Sequence, residues 1–275
     1  MHPPRTLTIA GSDSGGGAGI QADLKTFSAL GCYGMSVLTA LTAQNTRQVT
    51  AIHDLPPDFI REQLDAVFTD IGVDAVKIGM LSRSDVIREI ASTLAKYRPD
   101  HIVIDPVMVA KSGDRLLQDE AVAALKESLV PMATLITPNL PEAGVLSGST
   151  VSTRKEMEYA GERILGMGPD AVLVKGGHLE GTDVSPDCLV YHDKSTGSVQ
   201  IRWYELPRVN THNNHGTGCT LSSAIAAQLA KGESLDEAVG SALSYLNRAL
   251  RKAADWKIGK GHGPVHHFHR WWPEE

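Results

Sequence analysis

A glycine-rich turn in the last third of the chain has the composition of an anion-binding site. It reads His-Gly-Thr-Gly-Cys-Thr over residues 215–220 and leads into a helix-like run of small residues, 221–230. The first turn of a helix has unpaired N–H groups and carries the positive end of the dipole, so it attracts anions. Glycine allows a phosphate to approach the backbone, and Thr217 or Thr220 could add a hydroxyl. The alternative is a glycine turn, capped by Thr217, before an ordinary core helix.

A second glycine cluster occupies residues 11–19, directly after the strand-like run Leu7–Ala10. Part of it, residues 17–22, loosely fits the dinucleotide-binding pattern GxGxxG/A, which also requires an acidic residue about 20 positions later. No Asp or Glu occurs between Asp23 and Asp54, and the chain has no GxxxxGK[ST] phosphate loop. These absences disfavour a nicotinamide-dependent oxidoreductase, and a bound nucleotide would need a different arrangement.

Oxygen ligands and a lysine follow other strand-like runs. Asp105 ends an apolar run, and Asn139 and Glu142 are three residues apart, which places them on one side of a helix. Such hard oxygen ligands suit Mg²⁺ bound together with substrate phosphates. Alternatively, Asp105 is a turn residue and the other two form a helix capping box. Lys175, before two glycines, could hold a nucleotide phosphate as a point charge or be a surface lysine.

Strand-like and helix-like runs alternate and predict an α/β fold, with a mostly parallel sheet covered by helices on both faces. No linker, charge block or repeat interrupts the chain, so we expect one domain over residues 1–275. The predicted strands are Leu7–Ala10, Met35–Leu41, Ala75–Ile78, His101–Ile104, Thr134–Thr137 and Ala171–Val174, followed by a hairpin of Cys188–His192 and Val199–Tyr204. The predicted helices are Ala18–Leu30, Pro57–Ile71, Ser84–Tyr97, Asp119–Leu129, Ser152–Gly166, Cys219–Ala230 and Leu235–Trp256.

The ends of the predicted strands point to one shared ligand site. In open α/β sheets, ligands bind beyond the carboxyl ends of the strands. Six strands end in polar residues, glycines or both, which predicts a single crevice. These ends are Gly11-Ser12-Asp13, Gln44-Asn45, Gly79-Met80, Asp105-Pro106, Pro138-Asn139 and Lys175-Gly176-Gly177.

Composition limits the possible functions. The chain has 275 residues, 42% of them hydrophobic, a net charge of −6 and no basic run, which argues against binding to nucleic acid or to an anionic membrane surface. The start does not have the pattern of a signal peptide, and no apolar run approaches the length of a membrane span. Three cysteines without CxxC spacing imply neither a disulfide framework nor a zinc site. We expect a cytoplasmic enzyme.

Several motifs together closely resemble the hydroxymethylpyrimidine kinase/phosphomethylpyrimidine kinase family of thiamine biosynthesis, within the ribokinase superfamily. The likeness runs from about Arg5 to His269. One departure is Asn214, where many relatives carry Thr. The motifs are residues 7–23, Thr42-Ala-Gln-Asn-Thr46, Asp105-Pro-Val-Met108, Thr137-Pro-Asn139 with Glu142, Lys175-Gly-Gly177 and His215-Gly-Thr-Gly-Cys219.

The resemblance implies a ribokinase-like three-layer sandwich without a large separate lid domain. It implies a homodimer that uses ATP and Mg²⁺ to phosphorylate 4-amino-5-hydroxymethyl-2-methylpyrimidine and then its monophosphate. Pyridoxine or pyridoxal is the alternative substrate, and a non-catalytic ligand-binding relative is a further alternative. The implied pyrimidine contacts are Gly11, Ala18, Asp23, Gln44, Met80 and Val107. The implied nucleotide contacts are Thr137, Asn139, Lys175 and Gly218, the metal contacts are Asp105 and Glu142, and a flap carries Lys111 and Arg115.

The catalytic turn comprises Gly216, Thr217, Gly218 and Cys219, whose amides would hold the charge that develops in phosphoryl transfer. Cys219 stands where sugar kinases of the superfamily carry a catalytic Asp. A thiol at a helix N-terminus is expected to have a lowered pKa, which would allow Cys219 to act as the base for the hydroxymethyl proton. The alternative is a small buried cysteine that packs under the anion site.

Overall fold

The computed structural model describes residues 2–108, 119–177, 179, 181, 183–193 and 196–273. Strands and helices alternate along most of the chain. The strands are β1 (Arg5–Ala10), β2 (Tyr33–Leu38), β3 (Ala40–Gln44), β4 (Val49–Asp54), β5 (Ala75–Ile78), β6 (Ile102–Ile104), β7 (Leu135–Ile136), β8 (Ala171–Val174), β9 (Val184–His192) and β10 (Val199–Pro207). The helices are α1 (Gly19–Ala29), α2 (Pro57–Asp70), α3 (Ser84–Tyr97), α4 (Asp119–Ala124), α5 (Leu140–Ser147), α6 (Arg154–Leu165), α7 (Thr217–Ala230) and α8 (Leu235–Lys252).

The main sheet has eight strands in the order β10-β9-β8-β7-β6-β5-β1-β2. The six strands from β2 to β8 in this order pair in parallel, and β9 and β10 add an antiparallel edge. Parallel strands direct their carboxyl ends to the same edge, so the loops after β1, β5, β6, β7 and β8 meet there. A separate antiparallel pair, β3 and β4, lies outside this sheet.

Alternate residues of the sheet enter two different hydrophobic cores. Val76 and Ile78 of β5, for example, face the core formed with α2, α3, α4, α5 and α6. Ala75 faces the opposite core, which is formed with α1, α7 and α8. The period-2 alternation of a strand produces this division, and it gives three layers with the sheet in the middle. The expected three-layer α/β fold with a mostly parallel sheet is confirmed.

The predicted elements agree with the structure wherever the apolar pattern is long or bounded by turn residues. The prediction was exact for β5, β8 and α3, and it located the other long helices to within a few residues. It was wrong to extend β2 to Leu41, because Ala40–Gln44 leaves the main sheet and pairs with β4. The prediction also missed β4. It considered a helix at the position of α5 only as one explanation of the spacing of Asn139 and Glu142.

Side-chain caps fix the starts of three helices. Asn139, Thr153 and Ser234 each accept a hydrogen bond from the backbone N–H three residues later, and the Glu at that position bonds back. Such capping boxes satisfy N–H groups that a helix cannot pair internally. Within the described residues, no helix is both long and apolar enough to cross a membrane.

Two helical glycines give a matched test of packing between the sheet and the helices. A Cβ on Gly161 of α6 would lie 2.5 Å from Val190 Cγ2, whereas a Cβ on Gly240 of α8 would find its nearest neighbour, Tyr204 Cε1, at 3.7 Å. We expect Gly161→Ala to lower the free energy of unfolding by about 1–3 kcal/mol, because the stiff valine must move. Gly240→Ala should raise it by up to about 1 kcal/mol through helix propensity alone. Urea unfolding of both variants measures the difference, and equal stabilities would contradict the packing described.

Candidate active site

A cavity of about 600 Å³ opens at the carboxyl edge of the sheet. Residues that follow β1, β3, β5, β6, β7 and β8 line it together with the start of α7, so the prediction of one shared crevice is confirmed. The lining includes Gly11, Ser12, Asp13, Ala18, Gln44, Met80, Asp105, Val107, Asn139, Glu142, Lys175, Gly216, Thr217, Gly218 and Cys219.

The turn before α7 brings a helix N-terminus to this cavity. Gly216 adopts a left-handed conformation, with φ of +78°, and α7 begins at Thr217. A Cβ on Gly216 would lie 1.8 Å from the carbonyl oxygen of Gly17, so only glycine fits. Thr220 is fully buried and its hydroxyl donates to the Gly216 carbonyl, which leaves Thr217 as the threonine that lines the cavity. The N-terminus of α7 therefore presents free amides to an anion.

Asp13 connects the first glycine loop to this turn, a role that the sequence analysis did not assign to it. Its carboxylate accepts hydrogen bonds from the N–H groups of Gly15, Gly17 and Ala18, and it lies 2.8 Å from Nε2 of His215. Burial opposes the charge of Asp13, but the hydrogen bond and the charge of His215 together with the backbone amides hold its pKa below the usual value. An acidic residue inside a glycine cluster was the available signal, because carboxylates often organise such loops.

The predicted metal residues form a buried acidic pair beside a lysine. Asp105 and Glu142 are 2% and 5% exposed, and Lys175 Nζ donates to Asp105 Oδ1 over 2.7 Å. Burial raises the pKa of Glu142 to about 7, although the Lys175 ammonium lowers it, and Asp105 raises it further. Carboxylate oxygens are the ligands that a hard divalent cation prefers, and a cation here would relieve the repulsion between the two acids.

Glu142 and Asn139 also form the capping box of α5, so the structural alternative is confirmed. Glu142 Oε2 accepts from the Asn139 amide over 2.8 Å, and Asn139 Oδ1 accepts from the Glu142 amide over 2.9 Å. A carboxylate oxygen has more than one lone pair, so capping leaves capacity for another ligand. Both side chains line the cavity.

Thr137 does not lie where the resemblance implies. It is fully buried and does not line the cavity, and its hydroxyl donates to Asp105 Oδ1 over 3.3 Å and faces the Ile104 carbonyl. The expected contact of this side chain with the nucleotide is therefore corrected to a contact that orients Asp105. The predicted strand ended at Thr137, whereas β7 ends at Ile136, and the Thr137 side chain directly after it is directed to the buried Asp105 carboxylate.

Asp23 is likewise not in contact with the cavity. Its side chain is 0% exposed, and its carboxylate accepts from Lys77 Nζ, Thr8 Oγ1 and Ser223 Oγ at distances of 2.8, 2.6 and 2.7 Å. These buried donors use both carboxylate oxygens of Asp23. The expected contact of Asp23 with the pyrimidine is therefore corrected to contacts with other buried side chains of the protein. Lys77, which the sequence analysis did not consider, does line the cavity.

The expected low pKa of Cys219 is contradicted. Burial raises the pKa of this thiol to about 11, although the Lys77 ammonium opposes the rise. Burial therefore raises the pKa of this thiol by more than the helix N-terminus lowers it, because desolvation disfavours the charged form of a thiol. The thiol still lines the cavity, directly after Gly218, and a Cβ on Gly218 would lie 3.1 Å from Asp105 Oδ2.

Five of the residues that the resemblance assigns to the pyrimidine line the cavity: Gly11, Ala18, Gln44, Met80 and Val107. A Cβ on Gly11 would lie 2.5 Å from Met80 Cε, so a larger residue at this position would require the end of the methionine side chain to move.

Gln44 keeps hydrogen-bonding capacity for a ligand. Its Oε1 lies 3.3 Å from Thr42 Oγ1, which donates to it, and its Nε2 has no partner in the described part of the chain. A primary amide can both accept from and donate to a polar ring edge. Val49 and Ile52 of β4 also line the cavity. The alternating run after the turn at Asn45 could have indicated that strand. The predicted flap residues Lys111 and Arg115 lie outside the described residues.

Comparisons with known proteins agree with this geometry. A family model described as phosphomethylpyrimidine kinase matches residues 13–266. The hydroxymethylpyrimidine/phosphomethylpyrimidine kinase of Rhizobium meliloti is 55% identical over 271 residues, which cover 98% of each chain. Its namesake in Salmonella typhimurium is 50% identical over 99% of this chain and 100% of the relative.

Solved structures give the same picture. The phosphomethylpyrimidine kinase of Clostridium difficile has a TM-score of 0.77 at 48% identity, covering 90% of this chain and 99% of that one. A Staphylococcus aureus pyridoxal kinase in complex with AMP-PCP and pyridoxal has a TM-score of 0.88 at 35% identity, covering 98% and 96%. The chain therefore belongs to the phosphomethylpyrimidine kinase family and is a phosphotransferase.

Proposed function

We propose that this protein transfers the γ-phosphoryl group of ATP to the hydroxymethyl group of 4-amino-5-hydroxymethyl-2-methylpyrimidine, and then a second one to the monophosphate, for thiamine biosynthesis. The observation that carries the proposal is the continuity of one cavity. It joins a ring-binding end at Gln44 and Met80 to the free amides at the start of α7 and to the buried carboxylates Asp105 and Glu142. The names of the relatives with 50–55% identity support this substrate over pyridoxal.

The phosphate-binding end of the cavity fits ATP. We propose that the amides of Gly216, Thr217, Gly218 and Cys219 hold the γ-phosphoryl oxygens, because amides fixed at a helix start stabilise developing negative charge without reorganisation. Lys175 would hold a phosphate as a point charge, and Asn139 would contact the nucleotide. The Staphylococcus aureus pyridoxal kinase with AMP-PCP bound, which shares this fold, supports the binding of an ATP-like nucleotide.

Mg²⁺ fits the acidic pair. Asp105 and Glu142 would hold it, in part through water, because Mg²⁺ usually keeps several waters and shares phosphate oxygens. The bound ion would neutralise charge on the phosphates. Lys175 already balances one of the two carboxylate charges, and a divalent ion would balance the second. We therefore expect the site to bind ATP together with the metal ion rather than ATP alone.

The two reactions require different assistance. A hydroxymethyl group is a weak nucleophile and benefits from a base, whereas a phosphate acceptor is already ionised and repels ATP. We propose that Lys111 and Arg115 of the flap, on the basis of the resemblance, matter more for the second reaction. Cys219 is the proposed base of the first.

Three further proposals concern the whole chain. Residues 1–275 would form one kinase domain without a large separate lid domain, and the small β3–β4 pair would take the role of a lid. The protein would be a cytoplasmic homodimer without nucleic-acid or membrane partners. Leu41 and Ile52 on the β3–β4 pair and Trp271 near the C-terminus are exposed apolar side chains that support association between subunits.

Substrate choice tests the proposed function directly. With ATP and Mg²⁺, we expect ADP formation with hydroxymethylpyrimidine, appearance of the mono- and diphosphate, and a lower kcat/KM for pyridoxine. The Gln44 amide can pair with an exocyclic amine and a ring nitrogen together, and an unpaired buried polar group costs on the order of 1–3 kcal/mol, or roughly 5- to 150-fold. Gln44→Leu should remove most of this preference.

Gln200→Leu is the control, since Gln200 is exposed on β10 and its side-chain amide donates to Ser198. Equal or better use of pyridoxine or pyridoxal by the wild-type protein would overturn the pyrimidine assignment. Binding of either compound without ADP formation would overturn the kinase proposal.

Gly216→Ala tests the anion site against a glycine with the same backbone angle. Gly216 and Gly31 both have φ of +78°, but a Cβ on Gly31 meets no atom within 4 Å. Both substitutions strain the backbone by roughly 1 kcal/mol, and only Gly216→Ala pushes the turn away from Gly17. We expect kcat to fall by about 10²-fold or more for Gly216→Ala, as when an oxyanion donor is lost, and to stay near wild type for Gly31→Ala. Similar kcat values for the two variants would show that the turn does not hold the phosphoryl group.

Cys219→Ser tests the base role through its pH dependence. With a thiol pKa of about 11, the thiolate fraction rises about tenfold per pH unit below that value, so kcat/KM of the first reaction should increase from pH 7 to pH 9. Cys219→Ser should lower the first reaction at least tenfold, flatten this rise and affect the second reaction less. A loss below about threefold, or on the order of 0.6 kcal/mol, would leave Cys219 only a packing role.

A further inference from the structure

A lysine and an aspartate form a fully buried ion pair directly below the cavity. Lys77 lies in β5, a strand whose four residues are all buried, and its ammonium is 2.8 Å from Asp23 on α1. Both side chains are 0% exposed. Replacing such a pair by apolar residues is often neutral or stabilising, so a buried ion pair is weak evidence of a stabilising role. Its position therefore calls for a functional explanation.

Asp23 is held rigidly, and it holds Lys77 in turn. One carboxylate oxygen accepts from Thr8 and Lys77, and the other accepts from Ser223 of α7. Burial opposes the charge of Lys77, but the Asp23 carboxylate outweighs it and raises the pKa of the ammonium. Lys77 is thus a permanent cation with one hydrogen-bond partner among the described residues, although an ammonium has three donors.

The ion pair is connected to α7 through Asp23, which accepts a hydrogen bond from Ser223. Ser223, which shares the Asp23 carboxylate, is four residues after Cys219, so the two side chains lie on the same face of the helix. Lys77 lines the cavity, and a Cβ on Gly79 would be 2.6 Å from its Nζ. Because its side chain has no solvent exposure, Lys77 acts on the cavity through its charge rather than by touching a substrate.

Two ion pairs lie beside the first two turns of α7: a Cβ on Gly218 would be 3.1 Å from Asp105 Oδ2 and 3.5 Å from Lys175 Nζ, and Ser223 donates to Asp23. Lys175 is 2.7 Å from Asp105, and Lys77 is 2.8 Å from Asp23. Lys77 is the charge that most favours a Cys219 thiolate, while Asp23 and Asp105 both disfavour it. Without Lys77, the thiol would face a net negative environment in a medium of low dielectric, where charge interactions are strong.

We propose that Lys77, anchored by Asp23, is a positioning residue of the first phosphoryl transfer, and that its fixed charge makes the Cys219 thiolate attainable. The inference rests on the proposed function. The thiol first loses its proton to solvent. As the hydroxymethyl oxygen attacks the γ-phosphorus, its O–H bond breaks and the proton forms an S–H bond on Cys219. The bond between the γ-phosphorus and the bridging oxygen breaks, and ADP leaves. The second reaction has an ionised phosphate acceptor, so it needs no thiolate.

Lys77→Met tests this through the ratio of the two reactions. The substitution keeps the length of the side chain and removes its charge. We expect kcat/KM of the first reaction to fall by roughly tenfold to a hundredfold, and that of the second by less than about threefold. Lys231→Met is the control, since Lys231 follows α7 at its far end and bonds to Gln228. Equal losses in both reactions would show a merely structural role and overturn the proposal.

A double variant controls for misfolding of the single variant, because Lys77→Met alone leaves Asp23 as an unpaired buried charge. Lys77→Met/Asp23→Asn removes both charges and keeps hydrogen-bond donors and acceptors at Asp23. A selective loss that is smaller in this variant than in Lys77→Met supports the proposal, because the loss of the Asp23 charge offsets part of the loss of the Lys77 charge. Equal losses in both reactions in this variant overturn the proposal. A wild-type protein that phosphorylates neither acceptor would instead refute the proposed function, so the two failures are distinguishable.

Alkylation of Cys219 supplies a readout independent of turnover. Iodoacetamide modification of the ligand-free protein, followed by mass spectrometry from pH 7 to pH 10, reports the thiolate fraction, with Cys219→Ser as the background for Cys32 and Cys188. We expect modification of Cys219 at a given pH to slow by tenfold or more in Lys77→Met, because the cation that favours the thiolate is lost while the Asp23 charge remains, and to slow less in the double variant, in which both charges are lost. An unchanged pH dependence in both Lys77 variants would overturn the proposal.

Discussion

The close approach of two loops at the carboxyl edge of the sheet determines whether this protein has an active site. The turn before α7 contacts the first glycine loop so closely that no side chain fits at Gly216 against the Gly17 carbonyl. Asp13 fixes the first loop through three backbone amides and connects it to His215. The amides at the start of α7 and the ring-binding loop are therefore held at one fixed separation. For a reaction that depends mainly on positioning and electrostatics, that separation is a large part of catalysis.

Buried charges then give the edge its electrostatic character. Each of two carboxylates, Asp105 and Asp23, is matched by one lysine within 2.8 Å, and Glu142 is left as an acid whose pKa lies near 7. An isolated buried charge would cost several kcal/mol, so these ions are tolerated only in pairs. The arrangement leaves one acid without a matching lysine among the described residues. In the proposed function, a divalent cation bound together with ATP would supply the missing positive charge at this edge of the sheet.

Sequence patterns predicted most of the fold and most of the cavity because both follow local rules. The helical period fixed α3, the apolar runs fixed β5 and β8, and glycines and polar residues after the strands indicated the crevice. The predictions that failed concern features that depend on tertiary contacts. The pairing of β3 with β4 depends on a contact made only after folding. Asp23 and Thr137 carry the right chemistry but face inward, and the Cys219 pKa follows from burial, which no motif reports. Lys77 was missed because one lysine in a strand pattern usually indicates an exposed face.

In the proposed function, the two ends of the cavity are built from different parts of the chain, which would separate chemistry from specificity. The phosphoryl-transfer end would come from the strand ends at Asp105 and Lys175 and from α7, while the ring end would come from the first loop, β3 and Met80. Kinases for pyrimidine and for pyridoxal share this fold, so the fold itself does not select the ring. A primary amide such as that of Gln44 distinguishes an aminopyrimidine from a hydroxypyridine by hydrogen bonding alone, without moving a catalytic group. Specificity in this fold is therefore able to change at the ring end while the anion-binding turn and its supporting charges stay fixed.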